Sequence, residues 1–297
     1  MNTRVCISSS TWRDYSFLLP ITALMWREIV CYEPILFLIG DWSKDKRNRI
    51  ALEAIQKHGF EYHMIAGITG YEESTIAQNS RQLACALDID PFRWLMPSDA
   101  DLWPLNKEFY HQHENSDALA VSYYSNGDNF EGKAETLNNI AVGKPFQTLP
   151  TCHVAMRCST WRELYMTGVE KIGEIEYSIK STLDSWLKPR MEGKSLSEAG
   201  WEAWMSDQRI MTEKLVKQDW FPSQVKFLER KGQPPVDRID RSAWPDSPSV
   251  LYMIDAHMPR GSDQDNMWWK VRPILQQMIP KHLMWADEYR LNYKNSY

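Results

Sequence analysis

The chain has 297 residues, 43% of them hydrophobic and 25% charged, with a net charge of −5. That length supports one large or two small domains with a sizeable core, and the composition is globular, not disordered. A pI near 5.9 gives no global basic field for nucleic acid, although a local basic groove is still allowed.

The five cysteines, Cys6, Cys31, Cys85, Cys152 and Cys158, are odd in number and scattered. Cys6, Cys31 and Cys85 fall in apolar runs that suggest buried thiols, and no pair has zinc spacing. The opening MNTRVCISSSTWRD lacks the sustained apolar region of a signal peptide. The longest apolar stretch, Phe17 to Trp26, is interrupted by Pro20 and Thr22 and is too short to span a bilayer. The expectation is a soluble protein of a reducing compartment, the cytoplasm (a host's cytoplasm if viral). Most of the 14 tryptophans read as core and surface filler, though flat aromatic faces also serve carbohydrate or bases.

In chain order, Arg4 to Ser10 is a short strand, and Tyr15 to Val30 is helical with a bend or restart expected at Pro20. Glu33 to Gly40 is a near-continuous apolar strand, which implies burial on both faces. Ser43 to His58 reads as a helix, Tyr62 to Ile68 as the third strand, and Glu72 to Leu87 as another helix. Phe92 to Met96 is the fourth strand. This alternation predicts a doubly wound, mostly parallel α/β sheet. Asp117 to Tyr124 is a fifth strand, and Asn126 to Leu149, with Gly127, Gly132 and Gly143, reads as a functional loop or lid. Thr151 to Arg157 is a strand leading into a helix from Thr160. Glu176 to Leu187 is a helix stopped by Pro189, and Ser195 to Val216 a helix opened by a Ser195–Glu198 capping box. Gly232 to Ser249 is proline-rich and extended. Val250 to Ile254 is a last strand, and helices over Trp268 to Met278 and Leu283 to Leu291 close the chain.

Three Asp-x-Asp triplets occur: Asp88-Asp90, Asp99-Asp101 and Asp263-Asp265. The first reads as the polar end of a helix and the third as a polar loop. Only Asp99-Asp101 follows an apolar strand, which breaks at Pro97-Ser98, and precedes an aromatic-proline stop. Carboxylates two apart on extended backbone point the same way. At a strand end, where open α/β sheets bind ligands, they make a hard-oxygen site for a divalent ion that also takes substrate phosphates. His111 and His113, in YHQHEN, read as a solvated helix end.

Residues 39–45, Ile-Gly-Asp-Trp-Ser-Lys-Asp, resemble the acidic turn after the second strand of family-2-like glycosyltransferases with the GT-A fold. Ala77 to Arg81, AQNSR, resembles the helix preceding their metal motif, and Met96 to Pro104 resembles their Asp-x-Asp segment. The resemblance covers roughly residues 4 to 105 and is thinner beyond. It implies a GT-A-like (Rossmann-like), mostly parallel sheet flanked by helices, with a helical C-terminal extension. The divisions are a nucleotide-sugar-binding half over 1–105, an acceptor-binding half of the same domain over 106–260, and the extension over 261–297. It further implies a metal-dependent transferase moving a sugar from a nucleotide diphosphate, with UDP first in line, to a hydroxyl acceptor. Ser10, Thr11, Trp12, Arg13, Asp41, Arg81, Asp99 and Ala100 would bind the nucleotide. Asp99, Asp101 and His257, the last resembling the late histidine of such enzymes, would hold Mn2+ or Mg2+. In WMSDQ, Asp207 would be the general base of an inverting transfer and Trp204 would face the acceptor. This chain has Gly40 and Trp42 where the family often has acid and glycine, which leaves the base open.

The acceptor is not legible: a glycan or lipid-linked acceptor is one reading. The other is a hydroxymethylated DNA base, which requires Lys133, Lys144, Arg157 and Arg162 to line a groove. A nucleotidyltransferase would carry a glycine-rich basic loop after the first strand, where SSSTWRD offers only Arg13. A non-catalytic sugar-nucleotide or glycan-binding module is the alternative of another class.

Overall fold

The structure is a computed structural model that describes residues 3–87, 89–123, 132–165, 174–230, 237–246 and 248–296. Strand β1 (Arg4–Ser9) pairs in parallel with β2 (Glu33–Ile39), which pairs with β3 (Glu61–Ile65). On its other side β1 pairs in parallel with β4 (Trp94–Ser98), placing Ile7 between Leu36 and Ser98. After β4 the chain turns through Asp99–Asp101 and leaves this sheet as β5 (Leu102–Pro104). The main sheet is completed by β6 (Ala120–Ser122), β7 (Val154–Arg157) and β8 (Val225–Phe227), in the order β3-β2-β1-β4-β7-β6-β8. Only β7 runs against its neighbours, so the sheet is mostly parallel. A second sheet places β10 (Asp255–His257) between β5 and β9 (Arg238–Ile239).

Alternation along the strands divides the core in two, because successive side chains leave opposite faces. Val5, Ile7, Leu36 and Leu38 join the helices Arg13–Met25 and Lys46–Lys57. Cys6, Ile35, Phe37 and Ile39 meet the helices Glu73–Ser80, Cys158–Tyr165 and Ser206–Val216. The expected sheet flanked on both faces is present, with the helices Asp265–Met278 and Leu283–Lys294 after residue 261. Trp268, Tyr289 and Tyr293 of these helices pack on Phe17.

Several expectations need correction. Pro20 does not restart its helix, which runs unbroken to Met25 and then into a π turn over Trp26–Val30. Phe92 is exposed and lies before β4, which runs through Pro97 to Ser98; the break comes at Asp99. No strand covers Val250 to Ile254: Leu251 and Tyr252 are exposed and Tyr252 has φ +65. The strand begins at Asp255, so His257 lies within a strand and not after one. The Ser195–Val216 stretch is two helices, Leu196–Trp204 and Ser206–Val216, parted at Met205. Within Asn126 to Leu149, Gly132–Ala141 is helical with little buried but Thr136, which explains its weak periodicity; residues 124–131, with Gly127, lie outside the described residues. His113 is fully buried, bonded to Thr3 Oγ1 at 2.8 Å and to Tyr123 and the Tyr110 carbonyl. Cys31 is exposed, while the other four cysteines are buried and all five are free thiols.

Candidate active site

The C-terminal ends of β1 and β4 open into a cavity of about 190 Å³. That is smaller than a ligand pocket of ~300–1,000 Å³, so it suits the reacting end of a ligand more than a whole nucleotide sugar. Its wall includes Ser10 from the end of β1, Arg81 beyond the Glu73–Ser80 helix, Asp99, Ala100 and Asp101 from the turn after β4, and His257 from β10. Trp204 and Asp207 reach it from either side of the Met205 break. Strand β5 explains the meeting of Asp101 and His257. It pairs antiparallel with β10, matching Leu102 to His257, and the Met258 amide donates to the Asp101 carbonyl at 2.7 Å.

Ligand atoms of Asp99, Asp101 and His257 all lie within 4.8 Å of one another. The pair does not sit on extended backbone: the Leu102 amide donates to the Asp99 carbonyl at 3.3 Å, closing a turn. Asp101 Oδ2 faces two positive groups, His257 Nε2 at 3.3 Å and Arg241 Nη1 at 3.0 Å. His257 Nδ1 faces Asp240 Oδ2 at 3.6 Å, the carboxylate–imidazole arrangement that orients a metal-binding histidine. Burial opposes charge on His257, but Asp101 and then Asp240 outweigh it and raise the imidazole to about 9. Two carboxylates and an imidazole, already drawing cations to one oxygen, fit a divalent ion such as Mn2+.

Arg81 is buried and joins the two halves of the site. One end of its guanidinium pairs with Asp99, and Nη2 donates to Asp207 Oδ2 at 2.6 Å. Burial resists ionisation of Asp99, and Arg81 overcomes it, holding that carboxyl well below its usual range. Asp207 is more deeply buried, and there desolvation outweighs Arg81 and raises the carboxyl.

Four expected nucleotide contacts are not among the residues lining the cavity. Thr11 Oγ1 donates to Glu73 Oε2 at 2.7 Å, and Trp12 is exposed under the Arg260 guanidinium. Arg13 pairs with buried Asp263 at 2.7 Å. Asp263 lies in the turn before the last-but-one helix, as a loop residue, but it is buried as an internal partner, whereas Asp265 opens that helix and pairs with Arg290 and Lys294. Asp41 is exposed and accepts from the Ser43 amide at 3.0 Å, which makes it a turn residue. The acid at the β2 exit is Glu73: Gly40 has φ +91, and a Cβ there would stand 2.3 Å from Glu73 Oε1. Of the other triplet, Asp90 accepts from the Phe92 amide at 2.9 Å, and Asp88 lies outside the described residues.

Sequence reasoning missed Tyr15, Gln208 and Arg241, all of which line the cavity. Arg241 lay in a segment read as proline-rich and extended; its signal was Asp-Arg-Ser, where Asp240 accepts from the Ser242 amide at 2.9 Å and turns the chain. Three of the four basic residues needed for a DNA groove are spent on backbone. Arg157 donates to the Phe92 carbonyl, Arg162 to the carbonyls of Cys85, Leu87 and Ile89, and Lys133 to that of Gln218. Lys144 is exposed. Among the described residues no helix is long and apolar enough to cross a membrane.

No family model and no curated protein sequence matches this chain. Solved structures similar to it include the WbbM bifunctional glycosyltransferase, at 10% identity and TM-score 0.49, covering 98% of this chain but 52% of that one. This chain therefore spans about half the length of WbbM. The galactosyltransferase LgtC in complex with donor and acceptor sugar analogues is similar at 10% identity and TM-score 0.48, over 99% of this chain and 96% of that one. Glucosyl-3-phosphoglycerate synthase from Mycobacterium tuberculosis, bound to Mn2+ and UDP, is similar at 12% identity and TM-score 0.35, over 93% and 80% of the two chains.

Proposed function

We propose that this chain is a metal-dependent glycosyltransferase that moves a sugar from a nucleotide diphosphate, with UDP-sugars first to test, to a hydroxyl acceptor. The observation that carries the proposal is convergence. Asp99, Asp101 and His257, from two distant stretches of chain, bring their ligand atoms within 4.8 Å at a cavity that also holds Asp207. Asp99, Asp101 and His257 would hold Mn2+ or Mg2+, which supplies charge neutralisation at the departing diphosphate. Ser10, Arg81 and Ala100 would line the donor. Thr11, Trp12, Arg13 and Asp41, outside the cavity, would extend the same rim toward the nucleoside.

In the transfer the acceptor oxygen bonds to the anomeric carbon, the bond from that carbon to the phosphate oxygen breaks, and the hydroxyl proton passes to a base. Asp207 is the one lining carboxylate outside the metal set among the described residues. Burial raises its pKa, the direction that strengthens a carboxylate as a base, although Arg81 occupies one oxygen. Direct displacement by this route inverts the anomeric centre. Proton NMR of the product reads that outcome, and a product with retained configuration removes Asp207 from the role of base in a single displacement.

A glycan acceptor is favoured over a DNA base. Arg157, Arg162 and Lys133 hold backbone carbonyls, whereas Trp204 at the cavity and Trp201 one turn earlier are exposed, offering flat faces to a sugar ring. The decisive experiment is a screen of nucleotide sugars for nucleotide release with and without manganese. Asp101→Ala should abolish metal-dependent release while the protein stays folded. Full activity in that variant sinks the proposal, and binding without turnover by the wild type points to the non-catalytic module.

A further inference from the structure

Resting on the transferase reading, we infer that Arg241 is a second diphosphate-binding cation, held by Asp101 while the metal is absent and presented to the donor once the metal is bound. The site contains two guanidinia with different duties. Arg81 is buried and fixed between Asp99 and Asp207, and its Nε has no partner among the described residues. Arg241 is 29% exposed at the side chain, lines the cavity beside Tyr15, and is tied to one carboxylate oxygen, Asp101 Oδ2, at 3.0 Å. That same oxygen belongs to the candidate metal triad. A carboxylate that gives its charge to a divalent ion holds a guanidinium less strongly, and a planar fork so released suits two phosphate oxygens.

Charge bookkeeping agrees. In the metal-bound site, where the imidazole is neutral as a metal ligand must be, the lining residues carry three carboxylates (Asp99, Asp101 and Asp207) against two guanidinia (Arg81 and Arg241) and the divalent ion. That sum is net positive, and Arg241 is the more exposed of the two guanidinia that line the cavity. Metal before nucleotide is the order this predicts. The short turn Arg241–Ala243, begun by the Asp240 cap, carries Arg241 on the same segment that orients His257.

The experiment is calorimetric titration of wild type, Arg241→Ala and Arg241→Lys with Mn2+ alone, then with UDP or inorganic pyrophosphate in saturating Mn2+. Loss of a charge-assisted contact should weaken UDP and pyrophosphate by about 10- to 100-fold in Arg241→Ala. Arg241→Lys should restore part of that loss. Binding of Mn2+ alone should hold or tighten, because a competing cation is gone. Unchanged pyrophosphate affinity in Arg241→Ala overturns the inference, as does loss of Mn2+ binding in both variants, which marks a structural role. Failure of wild type to bind UDP or pyrophosphate in Mn2+ instead overturns the transferase reading beneath it.

Discussion

Arg81 shows how much one side chain can organise. It is the shared partner of Asp99, a candidate metal ligand, and Asp207, the candidate base, so it sets opposite shifts on two carboxyls through their unequal burial. Removing one member of a buried ion pair costs about 3–5 kcal/mol because the other charge stays buried. Arg81→Leu should therefore lower unfolding free energy by about that much in urea melts at neutral pH. Arg81→Leu with Asp207→Leu should recover part of it by deleting the stranded charge; a double variant no better than the single one contradicts this pairing. Asp99, partly exposed and able to reach solvent, should contribute less to the cost than Asp207.

At the scale of elements, the site depends on chain exits more than on strands. The turn between β4 and β5 carries both acids, and β5 uses the small second sheet to bring β10 and His257 beside them. The exit of β2 is equally constrained. Gly40 sits at φ +91 with the Glu73 carboxylate where a Cβ would go. Gly40→Ala should cost about 1–3 kcal/mol, since left-handed backbone is strained for any L side chain. In a Glu73→Ala background the contact is relieved but the backbone strain is not, so thermal melts should show a reduced, non-zero penalty. A full rescue would place the cost in the side-chain clash alone. The helix Lys46–Lys57 is capped by Asp45, whose Oδ1 accepts from the Arg47 amide at 2.7 Å. Asp45→Ala should remove about 0.5–2 kcal/mol.

For the whole molecule, the last two helices lock the first. Tyr293 donates to the Arg13 carbonyl at 2.8 Å and Tyr289 to the Phe17 carbonyl at 2.9 Å, beside the rim where the candidate nucleotide contacts stand. Two buried histidines weaken the fold in acid. Burial pushes His113 down to about 3 and His153 down to about 4, so both are neutral in the folded chain. The unfolded chain takes up protons below about pH 6.5. Stability is therefore complete above that value and falls as pH drops toward 4, by up to about 1.4 kcal/mol per unit for each histidine. Urea midpoints at several pH values measure this slope, and His113→Gln should flatten it even while lowering the plateau. Manganese at 100 times its dissociation constant should add about 2.7 kcal/mol. Chelation should reverse that gain, and Asp101→Ala should abolish it.

How much was legible follows from the range of each interaction. Apolar runs such as Glu33 to Ile39 and periodic helices such as Lys46–Lys57 are local patterns, so the alternating α/β half and its mostly parallel sheet could be read directly from residue order. The Asp99-Asp101 position after an apolar strand was legible for the same reason. The identity of the last strand was not, because Asp255-Ala256-His257 is polar and becomes a strand only through pairing with β5 and β9. Nor was the burial of His113, which depends on Thr3, 110 residues away, and Tyr123. For Arg241, 140 residues from Asp101, the Asp-Arg-Ser run marked a turn but not the partner that turn would meet. By itself the sequence determined the alternating strands and helices of the first half of the chain and which acids stand at a strand exit. Only the tertiary structure decided which distant charges share one space. A carboxylate's partner, burial and proton affinity are set by groups that meet it across the fold, not by those beside it in the chain.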